Sequence, residues 1–251
     1  MIDNISLPPK LSKEIESTSG FLEVQANSKI ISTGQQMTFI PFIKKGCVRV
    51  FIENNDLNLR YILNTHHHGD HIGGNNILKN KFNAKILAFE DDKDRIPSID
   101  ILLKDNQVWK DGIFEFKVIH VPGHTSGHIC FYFFNEKTVF TGDTLFSLGC
   151  GRIFEGSYED MFNSLLKLKV LPPETNIYFG HEYTLSNAIF CQKFDQNNSE
   201  LNKKILDIKK KLDNGIPTVP STIKDELNCN IFLRAKNQEE FSKLRDLKDN
   251  F

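Results

Sequence analysis

The chain has 251 residues, with 31 basic and 32 acidic side chains and a formal net charge of −1. That balance excludes the basic stripe of a nucleic-acid binder and the acidic block of a solvating tail. A hydrophobic content of 39% with 21 Phe can fill the core of one or two domains, and no apolar run approaches the roughly 20 residues of a membrane span. The N-terminus has no charged-then-apolar leader, so the expected compartment is the cytoplasm, with no membrane partner. Five Cys at 47, 130, 150, 191 and 229 form no Cys-x-x-Cys pair, and their odd count argues against a disulfide framework.

Residues 1–58 read as irregular, broken by Pro8-Pro9, Gly34 and Gly46. The run Leu59-Arg60-Tyr61-Ile62-Leu63 then reads as a buried strand. It leads into Thr65-His66-His67-His68-Gly69-Asp70-His71, where His66, His68, Asp70 and His71 have usable metal-ligand spacing. On a strand end His66 and His68 point to one side, and His67 to the other. Imidazole nitrogens with a carboxylate oxygen suit zinc, iron or manganese.

Three later segments repeat an apolar run followed by a ligand. Phe114, Phe116 and Val118 alternate as a half-buried strand does, and the run ends in Val121-Pro122-Gly123-His124. Ile129-Cys130-Phe131-Tyr132-Phe133 is apolar, with Cys130 as core filler. Lys137-Thr138-Val139-Phe140-Thr141-Gly142 leads to Asp143, and Asn176-Ile177-Tyr178-Phe179-Gly180 leads to His181. The glycines before Asp143, His181 and His124 allow tight turns. If the four strand ends share one edge of a packed sheet, their ligands converge. His120 reads as a satisfied strand histidine, and His128 as a candidate partner to a ligand ring.

Ser157 is positioned to cap a helix from Tyr158 to Val170, stopped by Pro172-Pro173. Leu201, Ile205, Ile208 and Leu212 recur at helical spacing, with Ser199 as cap and Asn214-Gly215 as stop. Phe241, Leu244 and Leu247 suggest a last helix. A boundary near 172 divides the chain into 1–172, with 1–58 atypical, and a small helical part, 173–251.

His-x-His-x-Asp-His, then a lone His, a Gly-Asp and a Gly-His, resembles the metallo-β-lactamase superfamily. Pro122-Gly123-His124-Thr125-Ser126-Gly127-His128, Gly149-Cys150-Gly151-Arg152, Gly180-His181-Glu182-Tyr183-Thr184 and Pro217-Thr218-Val219-Pro220-Ser221-Thr222 are similar to the glyoxalase II family, the hydroxyacylglutathione hydrolases. The likeness runs from about Leu59 to Lys236. Residues 1–58 lack the family's Asp-Asn-Tyr and Val-Asp-Pro segments.

The resemblance implies an α/β (α+β) fold, an αββα sandwich with a small C-terminal helical domain. It implies two divalent metals, zinc first and iron or manganese next. His66, His68 and His124 would hold one, Asp70, His71 and His181 the other, and Asp143 would bridge them. It implies hydrolysis of S-D-lactoylglutathione to D-lactate and glutathione by a hydroxide shared between the metals, with Asp70 orienting it. Arg152, Tyr183, Arg234 and Lys236 are the implied contacts to the glutathione thioester, and a monomer is the family expectation. Cys150 is assigned packing rather than nucleophilic work. The alternatives are a mononuclear-iron persulfide dioxygenase of the same fold and a degenerate metal-binding relative. The Gly-His-Glu-Tyr pattern and the helical tail favour the hydrolase.

Overall fold

A computed structural model describes residues 59–251 except 113; the atypical segment 1–58 lies outside the described residues. Three short parallel strands form one sheet in the order β1 (Tyr61–Leu63), β2 (Lys85–Phe89), β3 (Ile101–Leu103). Between β1 and β2 come the one-turn helix α1 (Gly69–Ile72) and α2 (Asn75–Phe82). A second sheet begins with β4 (Val108–Asp111), β5 (Phe114–His120), β6 (Ile129–Phe133) and β7 (Thr138–Gly142), all antiparallel neighbours. After the small ribbon β8 (Leu145–Phe146) and β9 (Gly149–Cys150), and helix α3 (Tyr158–Lys169), strand β10 (Asn176–Phe179) returns parallel to β7. Helices α4 (Thr184–Phe194) and α5 (Ser199–Asp213) precede β11 (Ser221–Thr222), which closes the sheet against β10. The short helices α6 (Ile223–Cys229) and α7 (Ile231–Arg234) lead to α8 (Gln238–Asp249).

Alternation on the strands sets the layers. Leu87, Phe89 and Leu103 from the small sheet share one apolar cluster with Phe116, Val118, Ile129 and Phe131 from the large one, so the two sheets pack face to face. On β2 the intervening Ile86 and Ala88 face outward onto Ile72 of α1 and Ile96. Both faces of this parallel strand are therefore covered, which explains its unbroken apolar run. The opposite face of the large sheet, with Ile119, Cys130, Val139 and Ile177, packs on Met161, Leu165, Phe190, Phe232 and Phe241 from the helices. The result is the expected αββα sandwich with a helical C-terminal part. Among the described residues no helix is long and apolar enough to cross a membrane.

Ser157 caps α3 through a full capping box with Asp160, and Met161, Leu165 and Leu168 bury one stripe. The cap of α5 is Asn198, one residue before the expected Ser199, because its side chain accepts the Glu200 and Leu201 N–H groups. The C-terminal helices also brace the loop beyond β8. Fully buried Glu226 accepts the Leu148 N–H at 2.7 Å and Asn230 Nδ2 at 2.9 Å.

Candidate metal centre

The four ligand-bearing strand ends belong to two sheets, not to one edge. β1 lies in the small sheet, whereas β5, β7 and β10 lie in the large one. The seam between the sheets is closed by backbone. Asn64 N–H extends the β1–β2 pairing to Leu87 O at 3.0 Å, and across the seam Ile129 N–H, at the start of β6, donates to Thr65 O at 2.8 Å. The pair Asn64 and Asn75, buried and joined at 2.7 Å, fixes the turn into α1, so that Asp70 and His71 project from one helical turn beside His66 and His68.

All seven expected ligands converge. His66 Nε2 and His124 Nε2 each lie 3.1 Å from His68 Nδ1. His71 Nε2 lies 3.4 Å from His181 Nε2 and 3.6 Å from Asp70 Oδ2, and His181 Nε2 lies 3.2 Å from Asp70 Oδ2. Asp143 stands between the groups: Oδ1 is 3.4 Å from His71, and Oδ2 is 3.5 Å from His124 and 3.3 Å from His181. Three overlapping sets result, His66/His68/His124, His66/His71/Asp143 and Asp70/His71/His181, each with its ligand atoms within 4.8 Å of one another.

The hydrogen bonds around the rings leave lone pairs pointing inward. His124 Nδ1–H donates to Arg152 O at 2.8 Å, which assigns the lone pair to Nε2. The buried Asp143 Oδ1 has no hydrogen-bond donor. Facing imidazole nitrogens with a bare carboxylate oxygen among them form a nitrogen and oxygen donor set with no sulfur, which fits a divalent cation. Burial first, then the neighbouring imidazoles, pushes the pKa of His66 down, and burial does the same to His68 and His124. Burial alone would raise the Asp143 carboxyl, but the adjoining His181 and His71 rings hold it well below the usual range. The Asp143 carboxylate in turn raises His181.

His128 proves to be the partner behind the cluster. It is fully buried, stacks on His66 at 4.7 Å, accepts the Asp143 N–H at Nε2 and donates from Nδ1 to Thr144 Oγ1. Burial, followed by the charge of His124, holds its pKa down at about 3. His120 is the satisfied strand histidine, bonded to Ser126 O at 2.8 Å and stacked on Phe89. His67 faces away from the cluster, toward Glu155. Gly180 is required by close approach: a Cβ there would collide with Asp143 Oδ1 and come within 2.9 Å of His71 Cε1.

The expected substrate contacts separate into two groups. Tyr183 stacks on His181 at 5.2 Å and is half exposed, and Arg152 follows the strand that backs His124. Arg234 instead pairs with Asp195 at the far end of α4, one helix length of roughly 16 Å from Tyr183. Lys236 follows beyond α7, its backbone N–H bonded to Glu240 Oε2 at 2.8 Å. The cations beside Arg152 are Arg245 and Lys248 on α8. Arg245 Nη1 donates to Cys150 O at 2.9 Å, and Asp249 Oδ1 accepts from both Arg245 Nη2 and Arg152 Nε. Lys248 Nζ lies 3.3 Å from Ser186 Oγ, and burial, then Arg245, lowers its pKa to about 8. Sequence reasoning did not single out this pair. Its one signal was the i, i+3 spacing of two cations on the last amphipathic helix. Cys150 is buried with its thiol pKa raised by burial, in keeping with packing.

The model of the metallo-beta-lactamase superfamily matches residues 49–181, and that of the hydroxyacylglutathione hydrolase C-terminus matches 182–251. A hydroxyacylglutathione hydrolase of Pelagibacter ubique (strain HTCC1062) is 60% identical over 201 residues, covering 80% of this chain and 84% of the relative. The chain belongs to the hydroxyacylglutathione hydrolase family. A second relative with that name, from Prochlorococcus marinus (strain MIT 9301), is 44% identical and covers 83% of this chain and 85% of its own. Among solved structures, ETHE1 from Myxococcus xanthus aligns with a TM-score of 0.57 at 25% identity, over 76% of this chain and 70% of that one. The BLEG-1 B3 metallo-beta-lactamase, at 23% identity and TM-score 0.52 over 70% of this chain and 78% of that one, shares the fold. Membership of this family gives the clustered His and Asp side chains their chemical context.

Proposed function

We propose that this chain hydrolyses S-D-lactoylglutathione to D-lactate and glutathione at the His/Asp cluster, using two divalent metals, zinc first among them. The chain is a hydroxyacylglutathione hydrolase by family. The observation that carries the mechanism is the meeting of two ligand groups at one carboxylate, Asp143. His66, His68 and His124 would hold one metal, Asp70, His71 and His181 the other, with Asp143 shared. Such a pair supplies Lewis acidity toward the thioester oxygen and lowers the pKa of water to near ~7.

The chain's own groups do the rest. Asp143, anionic and buried, offsets the positive charge collected between the two sets. Asp70, exposed at the mouth and beside His181, is placed to accept a hydrogen bond from the attacking hydroxide and to orient it. Attack forms the carbon–oxygen bond, and collapse breaks the carbon–sulfur bond. A thiolate leaves without needing an acid, since thiols ionise near pH ~8.5. Arg152 and Tyr183 are proposed substrate contacts, and Arg245 and Lys248 take the role expected of Arg234 and Lys236. Glutathione carries two carboxylates, which such cations recognise.

This reading includes the division into a catalytic part, 1–172, and a helical substrate-binding part, 173–251. Arg245 and Lys248 on α8 support it, although β10 and His181 reach back into the catalytic sheet. A cytoplasmic monomer is proposed with it. The test is hydrolysis of S-D-lactoylglutathione by the purified chain with bound metal quantified in the same sample. Activity lost together with metal in Asp143→Ala supports the reading, and metal retained without hydrolysis removes it.

A further inference from the structure

The middle histidine of the motif faces a polar network that the hydrolysis described above leaves unused. Asp92, fully buried, ends the short 3-10 turn Glu90–Asp92 after β2. A buried carboxylate needs a partner. Arg95 supplies it through Nη2, and the same nitrogen lies 2.9 Å from Ser126 Oγ. Arg95 Nη1 reaches Glu155 Oε2 at 2.7 Å. That oxygen also accepts the Ser126 N–H at 2.9 Å and its hydroxyl at 3.1 Å. The His67 ring lies between the two carboxylates, with Nε2 3.3 Å from Glu155 Oε1 and Nδ1 3.8 Å from Asp92 Oδ2. Gly127 packs against Asp92 so closely that a Cβ would collide with its carboxylate.

Two of the segments joined here carry the His66/His68/His124 set, and a third backs one of its rings. His67 separates His66 from His68. Ser126 lies two residues after His124. Glu155 lies three residues after Arg152, whose carbonyl fixes the His124 ring. We propose that Arg95, by clamping Asp92 to Ser126 and Glu155, is a positioning residue that keeps these three segments in register and thereby strengthens divalent-metal binding at His66/His68/His124. The inference rests on the two-metal reading above. A guanidinium suits the task because its planar fork serves two carboxylates and a hydroxyl at once, whereas a lysine ammonium is a point charge on a flexible stem. The other set, Asp70/His71/His181, shares no hydrogen bond or ion pair with this network among the described residues, so the effect should fall on one metal.

The test uses the full chain as wild type, Arg95→Lys and Ser126→Ala. Zinc affinity is read by competition with a chromophoric chelator, the cobalt(II)-loaded proteins are compared by electronic spectrum, and the metal-free proteins are melted. Arg95→Lys should weaken one of two metal equivalents by about 10- to 100-fold and leave the other within about twofold, the range for partners behind a ligand. Its cobalt spectrum should change, and the loss should stay at one equivalent even where the metal-free melting midpoint falls slightly. Ser126→Ala, which deletes one hydroxyl, should give a smaller change of the same sign and decides the matter if Arg95→Lys does not fold. Equal affinities in all three proteins overturn the inference, as does a uniform loss at both equivalents that tracks a lower metal-free midpoint, which is the mark of a structural residue. A wild type that binds only one equivalent removes the two-metal reading itself, and the inference with it.

Discussion

The two halves of the cluster are built differently. His66, His68 and His124 sit on rigid supports. His66 bonds Thr65 through Nδ1 and stacks on buried His128, and His124 is anchored to the Arg152 carbonyl. Asp70, His71 and His181 sit on one helical turn and a strand end, with the Asp70 side chain 59% exposed. The difference teaches a division of labour. The closed half is held by bonds to the chain itself, and in the proposed hydrolysis the open half is the one that would meet water and substrate. Preorganised groups contribute most where charge develops, and exposed ones can exchange ligands.

The largest effect should come from the group that belongs to both halves. Asp143→Ala is expected to lower hydrolysis by at least about 10²-fold and to cost metal at both sites, read by elemental analysis beside the rate. Loss of metal at one site alone would break the symmetry assigned to Asp143. Asp70→Asn comes next. It should lower kcat by about 10²-fold while metal stays bound at the closed half and KM changes little, as steady-state kinetics on metal-analysed protein would read. His124→Asn should instead release metal from the closed half to a chelator first.

A fourth expectation concerns the network behind the closed half. Burial raises the Glu155 carboxyl, but the Ser126 N–H and Arg95 outweigh it and bring its pKa from 4.5 down to about 2. A folded-state pKa below the unfolded one gives stability that is present above about pH 4.5 and lost as pH falls toward about 2. Urea melts of metal-free protein should show that loss, and Glu155→Gln should flatten the slope across this window. An unchanged slope would remove Glu155 from the bracing. The smallest effect lies outside both halves: Ser157→Ala should cost about 1 kcal/mol through the capping box while leaving metal binding unaltered.

What the sequence made legible follows the same divide between local and distant causes. Each of the seven residues that converge ends or follows an apolar run at a glycine or a turn, so local pattern and the family resemblance together singled them out. The pairing of β1 in a sheet apart from β5, β7 and β10 was not legible, because parallel pairing with β2 depends on contacts remote in the chain. Asp92 reads as one more charge in Glu90-Asp91-Asp92-Lys93-Asp94-Arg95, and only the packing of Gly127 against it exposes its burial. Arg234 was singled out and Arg245 was not, because helix faces are set by what they pack on. Asp195 pairs with the first, and Cys150 O accepts from the second.

The most direct test of the account is a metal titration of metal-free chain scored by hydrolysis of S-D-lactoylglutathione. The account predicts a rate that climbs until about two equivalents are bound and then levels, since both halves act on one thioester. Full activity at one equivalent, or none at two, would contradict it.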